Sequence, residues 1–433
     1  MNCAHTAATL HLSINITFGK NSDTVAETLL YIIIAFILAE YMFSAVLSYL
    51  NMKSWDQPVP AELRDIYDDE KFERARAYAK DNNLVSSVSG FISLVVTLGF
   101  LYFKGFAWVD SIAHSISDNA IIDGLIFFGI IMLANSIIDL PFELYKIFVI
   151  EEKYGFNKMT ISTFIGDKIK TAVLLAVIGG AIYALLAWLY GLLGGYFWIA
   201  GWAVVSFVTL FIAAFYTSVL LPVFNKLVPL ESGDLRSQIE RYAEKVSFPL
   251  TNIMVMNGSK RSSKANAFFS GMGSSKSIVL YDTLIEKMTT DEITAVLAHE
   301  VGHYKKKHIL QSMAISVVQM GIIFFIFGWV AGNPLMAEVL GVKENRFYLS
   351  LLTFTMLYSP VSTLIGLGMN VFSRKNEYEA DAYAKETYSA APLISSLKKL
   401  YADQLGNPQP HPAYVFVHYS HPTLLQRIRA MIG

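Results

Sequence analysis

The chain has 433 residues, 54% of them hydrophobic and only 16% charged, with a mean hydropathy of +0.44. Soluble domains average about 25% charge, so this composition describes a membrane protein. Thirty-four basic and 35 acidic residues leave a net charge of −1, which removes the electrostatic footprint of a nucleic-acid-binding protein.

Seven apolar stretches are long enough to cross about 30 Å of hydrocarbon, which takes roughly 20 helical residues. They run from Val25 to Leu50, Leu84 to Phe103, Ala120 to Leu140, Thr171 to Leu193, Tyr196 to Leu221, Ile309 to Val330 and Phe347 to Phe372. The first is too long, and ends too late, for a cleavable signal peptide. Only Gly194 and Gly195 separate the fourth from the fifth, so the pair reads as a tight hairpin or one broken, re-entrant unit. The loop after the first span holds Lys53, Arg64, Lys71, Arg74, Arg76 and Lys80; the loop after the third holds Lys146, Lys153, Lys158, Lys168 and Lys170. The positive-inside rule makes both loops cytoplasmic and puts the N-terminus outside.

The chain then divides into an outer segment 1–24, five spans over 25–221, a cytoplasmic segment 222–307, two spans over 308–372 and a cytoplasmic tail 373–433. On the outer side, Asn15-Ile16-Thr17 is a glycosylation sequon. The one cysteine, Cys3, closes no intramolecular disulfide and excludes a thiolate zinc site. Glu40, Asn135, Asp139, Gln311, Gln319 and Asn370 fall inside the apolar stretches, where facing lipid is costly, and are expected to face protein or water.

In the cytoplasmic segment, Asn252 to Met256, Ala265 to Ser270 and Ser277 to Tyr281 read as a small sheet, with Asn257-Gly258 as a turn signal. Its edge, Asn266, Ala267 and Phe268, suits pairing with an extended peptide; an ordinary structural hairpin is the alternative. Leu297-Ala298-His299-Glu300-Val301-Gly302-His303 follows and contains His-Glu-x-x-His. Four-residue spacing puts both imidazoles on one helical face, where one Zn²⁺ per chain can take them, with Glu300 beside them to polarise the attacking water. Thr289 and Glu292 stand at capping-box spacing just upstream.

A hydrolytic zinc site needs a third protein ligand. After the seventh span, Glu377 and Asp381 stand one turn apart on one helix face; Glu377 can ligate while Asp381 holds a ligating imidazole by its other nitrogen. Glu379 and Glu386 read as charged helix residues only, and His308, His411, His418 and His421 stay open as alternative ligands. On a continuous helix His303 lies about 9 Å from span six, and Glu377 lies about 8 Å beyond span seven. The metal is therefore expected at the cytoplasmic membrane boundary, with Tyr304 and Lys305 to Lys307 as interfacial anchors.

Five segments together resemble the type 1 CAAX prenyl protease family of integral-membrane zinc metalloproteases. They are Ala298-His299-Glu300-Val301-Gly302-His303, Ser373-Arg374-Lys375-Asn376-Glu377-Tyr378-Glu379-Ala380-Asp381, Glu151-Glu152-Lys153-Tyr154-Gly155-Phe156-Asn157, Asn266-Ala267-Phe268-Phe269 and His421-Pro422-Thr423-Leu424-Leu425-Gln426-Arg427. The resemblance implies an all-α polytopic membrane protein whose seven transmembrane helices enclose a hollow, water-filled barrel. A zincin-like metalloprotease domain of helices and a small β-sheet is implied at the cytoplasmic end. His299, His303 and Glu377 are then implied to hold zinc, Glu300 to be general base and acid, and His421 and Arg427 to be oxyanion donors beside Asp381.

The implied substrate is a farnesylated or geranylgeranylated C-terminal Cys-a-a-X that loses its last three residues. Expected partners are that peptide and membrane lipids, with the protein a monomer in the endoplasmic reticulum membrane or a bacterial inner membrane. The short link from span seven to the tail and the terminus Ala430-Met431-Ile432-Gly433, which carries no retrieval signal, depart from the eukaryotic pattern. They fit a compact or bacterial homologue acting on damaged membrane proteins, as a broad quality-control protease. A transporter or channel, or a metal-stabilised scaffold, explains the spans but leaves Glu300 idle.

Overall fold

A computed structural model describes residues 22–270 and 276–433. Cys3 and the Asn15-Ile16-Thr17 sequon lie outside the described residues. Among the described residues, six helical runs are long and apolar enough to cross a membrane: Asp23–Asp56, Asp69–Tyr102, Ala120–Glu151, Ile161–Phe224, His308–Val330 and Phe347–Thr387. Their outward apolar side chains stay uncovered, Trp329 at 84% and Phe207 at 68% exposure, because lipid rather than protein is their solvent.

Helix α1 spans Ser22–Lys53. Helix α2 (Asp69–Tyr102) starts well before Leu84, since the Asp68 side chain caps Lys71 N at 2.7 Å and Asp69 and Glu70 sit at the positive helix end. Hydropathy sees only its apolar part. Helix α3 (Gly105–Ile116), 12 residues and too short to span, packs on α4 (Ala120–Tyr145). Helices α5 (Ile161–Leu174), α6 (Gly180–Leu193), α7 (Phe197–Phe215) and α8 (Leu221–Phe224) form one 64-residue run holding both the expected fourth and fifth spans. Straight, it would measure about 96 Å. Instead the chain turns at Gly194, whose φ of 50° glycine adopts at little cost. Beyond it α6 and α7 pack together, with the Tyr190 and Phe197 rings 5.5 Å apart.

Strands β1 (Leu227–Pro229), β2 (Leu250–Met256), β3 (Ala267–Ser270) and β4 (Lys276–Tyr281) make a sheet of order β1-β2-β4-β3. β2 and β4 are parallel, and β1 and β3 are antiparallel edges. Asn257-Gly258 therefore closes no hairpin. Gly258 is instead where the Tyr281 ring fits, 2.4 Å from where a Cβ would stand. Helices α9 (Asp234–Lys245), α10 (Asp282–Lys287) and α11 (Thr290–Lys305) pack around the sheet. Ile239, Ile253, Ile278, Ile293 and Leu297 form the core of this unit, each contributing about 1.5–3 kcal/mol by burial.

The helix does not continue from His303 into the sixth span, as expected from the sequence. Lys307 adopts φ 61° and α12 (His308–Val330) restarts in a new direction. Tyr304 and Lys305 also pack within the protein: the Tyr304 ring stacks edge-on at 5.1 Å from Phe248, and Lys305 Nζ donates to Ser247 O at 3.1 Å. After α13 (Leu335–Glu338), α14 (Phe347–Thr387) runs unbroken for 41 residues, about 62 Å. Helices α15 (Ala390–Asp403), α16 (Pro412–His418) and α17 (Leu424–Ile432) end the chain. Of the intramembrane polar residues, Glu40 accepts from Ser359 and Thr363 of α14 at 2.8 and 3.3 Å, and Asn370 Nδ2 donates to Val417 O at 2.7 Å. Asn135 and Asp139 are exposed.

Candidate metal centre

Helix α11 opens with the expected capping box: Glu292 N donates to Thr289 Oγ1 at 3.3 Å and Thr289 N to Glu292 Oε2 at 2.8 Å. Ser395 Oγ and Lys399 Nζ also donate to that buried carboxylate, fixing α11 on α15. Helix α11 then crosses α14 at Gly302, where an added Cβ would lie 2.9 Å from Ala380 Cα and 3.0 Å from Ala380 O. Only glycine allows backbones this close. The crossing sets His299 and His303, on the turns around Gly302, against Glu377 and Asp381, on the turns around Ala380.

Ligand atoms of His299, His303 and Glu377 lie within 4.8 Å of one another. The two Nε2 atoms are 3.2 Å apart, and they lie 3.4 and 3.3 Å from Glu377 Oε2 and Oε1. Glu377 is buried and its Oε2 accepts no hydrogen bond. Two imidazole nitrogens and an unsatisfied carboxylate oxygen converging on one point are acceptors without a donor, an arrangement that a bound cation satisfies. The donor set thus fits a divalent metal, and its borderline nitrogen and oxygen chemistry suits zinc.

The outward nitrogens are also held. His299 Nδ1 stands 2.8 Å from Asp381 Oδ1, which leaves Nε2 free to point inward. Arg427 grips the same carboxylate in two places, Nε to Oδ2 at 2.8 Å and Nη2 to Oδ1 at 2.6 Å, and sets Nη1 3.5 Å from Glu377 Oε2. Burial opposes charge on Arg427, but Asp381, Glu377 and Glu300 hold it firmly protonated. Burial likewise opposes charge on His299, yet the adjacent Asp381 and Glu377 carboxylates raise it to about 9 without metal. His303 Nδ1 faces His308 Nδ1 at 3.0 Å, and His308 Nε2 faces Glu379 Oε2 at 3.1 Å.

Of the alternative ligands, His308 is thus behind His303, His411 caps α16 through Ala413 N at 3.2 Å, and the His418 ring packs at a tilt 4.5 Å from that of Tyr414. His421 does reach the centre, its Nε2 3.3 Å from Glu377 Oε1 with the side chain 61% exposed. Glu379 is more than the charged helix residue it reads as in sequence. The sequence reading also misses Arg374, whose Nη1 donates to Val415 O, Phe416 O and Tyr419 O and so ties α14 to the loop carrying His421. A basic residue just past an apolar span reads as mere snorkelling. Asn266 is exposed and leads into β3, where Ala267 and Phe268 pair with Leu280 and Val279; the outer side of β3 has no strand partner among the described residues.

Residues 48–226 match the family described as CAAX prenyl protease N-terminal, five membrane helices, and residues 229–432 match peptidase family M48. The CAAX prenyl protease 1 homolog of Arabidopsis thaliana is 34% identical over 410 residues, covering 93% of this chain and 97% of that protein. CAAX prenyl protease 1 of Saccharomyces cerevisiae is 34% identical, covering 92% of this chain and 94% of its own. The crystal structure of S. mikatae Ste24p is similar at a TM-score of 0.88 and 34% identity, over 93% of this chain and 98% of that one. By matches that run nearly its whole length, this chain belongs to the CAAX prenyl protease 1 family, membrane-embedded metallopeptidases of family M48.

Proposed function

We propose that this chain is a zinc endopeptidase that removes the last three residues of prenylated C-terminal Cys-a-a-X substrates. The observation that carries this reading is the convergence of His299, His303 and Glu377, with Glu300 next to His299 on the same helix, in a chain similar throughout to proteins named CAAX prenyl protease 1. In it His299, His303 and Glu377 hold one Zn²⁺, which when bound supplies Lewis-acid polarisation of water and carbonyl. Glu300, half-buried on α11, takes the proton of the attacking water and delivers it to the leaving amine. His421 and Nη1 of Arg427, both beside the Glu377 carboxylate, donate to the developing oxyanion, and Asp381 keeps His299 in its tautomer. The substrate adds as a strand along Asn266, Ala267 and Phe268.

The α6–α7 turn at Gly194 supports seven crossings, and the basic loops after the first and third spans support an N-terminus outside and a centre on the cytoplasmic side. We read the spans as a hollow barrel around a hydrated interior, with the metalloprotease unit built from 222–307 and 373–433 and the protein a monomer. Cleavage of a farnesylated Cys-a-a-X peptide by purified protein tests the function. Wild type should cut it, while Glu300→Gln keeps its zinc and loses about 10²–10⁴ in rate. A zinc-loaded wild type that cuts neither the lipidated nor the plain peptide overturns the assignment, and equal cutting of both means broad quality-control specificity.

A further inference from the structure

A partly open groove of about 340 Å³ leads from the metal centre along the membrane helices. It starts at His303 and His308 and runs between Leu210 and Ala213 of α7 and Met313 and Met320 of α12. From His308 to Met320, α12 rises about 18 Å, more than half of a hydrocarbon layer about 30 Å thick. Its lining is mainly apolar, and the short side chains of Ser312 and Ser316 keep the passage open.

The chemistry of the lining selects the occupant. A peptide strand there would need a partner for an N–H and a C=O at every residue, more than the scattered serine and threonine hydroxyls and Asn376 of the lining supply. An apolar chain without donors makes no such demand. In the proposed reaction the scissile bond directly follows the lipid-bearing cysteine, so the lipid leaves the substrate within about 3.5 Å, one residue's length, of the reacting carbonyl. The inner end of the groove is lined by His303, one of the residues that would hold the metal. A farnesyl group, twelve carbons along its main chain, extends about 15 Å and fits within the groove's length. Resting on the prenyl-directed reading above, we propose that this groove between α7 and α12 holds the isoprenoid chain of the substrate cysteine. Met320 marks its far end and Ser316 stands about 12 Å along it.

The test compares cleavage of one Cys-a-a-X peptide carrying S-farnesyl, S-geranyl or S-methyl by wild type, Ser316→Phe and Ser312→Phe in detergent. Each methylene kept out of an apolar site lowers affinity about fourfold. Blocking the groove at residue 316 shuts out several farnesyl carbons, so Ser316→Phe should raise the farnesyl KM at least about tenfold. The shorter geranyl chain, about 10 Å, stays within twofold. Ser312→Phe, closer to the centre, should raise both, while S-methyl cleavage stays at wild-type rate and certifies an intact site. In wild type, a diazirine-bearing farnesyl peptide should label α7 and α12 along this groove. KM changes independent of chain length, with labelling elsewhere, overturn the groove and leave a bilayer acyl chain as its occupant. A wild type that cuts none of the three peptides overturns the protease reading itself.

Discussion

Adding one methyl group at Gly302 should dismantle the metal centre from behind. A Cβ there would stand 2.9 Å from Ala380 Cα, 3.0 Å from Ala380 O and 3.2 Å from Tyr383 Cβ. Comfortable carbon contacts begin near about 3.5 Å, so Gly302→Ala pushes α11 and α14 apart by roughly 0.5–1 Å. Metal–ligand distances tolerate only about 0.2 Å. The ligands ride on the turns adjoining this contact, so zinc affinity should fall at least about tenfold, with an overpacking penalty of about 1–3 kcal/mol. Chelator competition measures the first and chemical denaturation the second. Because the clash is with backbone atoms, Ala380→Gly on top of Gly302→Ala should give no relief. Gly366→Ala, on the same α14 with nothing within 4 Å, should be neutral. Zinc affinity in Gly302→Ala within twofold of wild type would refute the claim that this backbone contact spaces the ligands.

Further expectations concern the groups around the ligands. The folded value of about 9 for metal-free His299 lies above the ordinary 6.5 or so, so the stabilisation from its proton is complete below about pH 6.5 and is lost as pH rises through 9. Zinc displaces that proton, so its apparent affinity should climb about tenfold per unit from pH 7 to 9 and then level off; a flat competition titration over that range contradicts this. Arg427→Gln strands the buried Asp381 carboxylate and should cost about 3–5 kcal/mol in denaturant midpoint experiments, with wild-type stability as the adverse result. His308→Ala frees the outer nitrogen of His303 and should weaken zinc binding about 10–100-fold, whereas Glu379→Gln keeps an acceptor and should lose much less. Equal losses in the two variants would mean the pair does not act through His303.

Much of the centre was legible because its signals are local. The spacing of His299 and His303 and the Thr289–Glu292 cap are read directly from periodicity, and Glu377 with Asp381 follows from one turn of helix. The break between α11 and α12 was not legible, because Lys307 is neither glycine nor asparagine and holds a positive φ only through its tertiary setting. That break is what swings His308 behind His303, so the His308–Glu379 pair was invisible too. The sheet failed for a related reason: Asn257-Gly258 is a strong turn signal, but the parallel pairing of β2 with β4 is a long-range choice that no dipeptide encodes. Helix α3 escaped because a search for membrane spans rejects twelve-residue helices.

The unbroken course of α14 makes the metal centre mechanically answerable to the bilayer. Pro360 interrupts the hydrogen-bond ladder of α14 17 residues before Glu377, about 25 Å of helix. A bend of only about 2° at that point moves Glu377 by nearly 1 Å, several times the ligand tolerance of about 0.2 Å. Hydrophobic mismatch is absorbed by tilts and kinks of this kind. Peptidase activity should therefore pass through an optimum as vesicle acyl chains are lengthened stepwise, and Pro360→Ala, which stiffens the lever, should flatten that dependence.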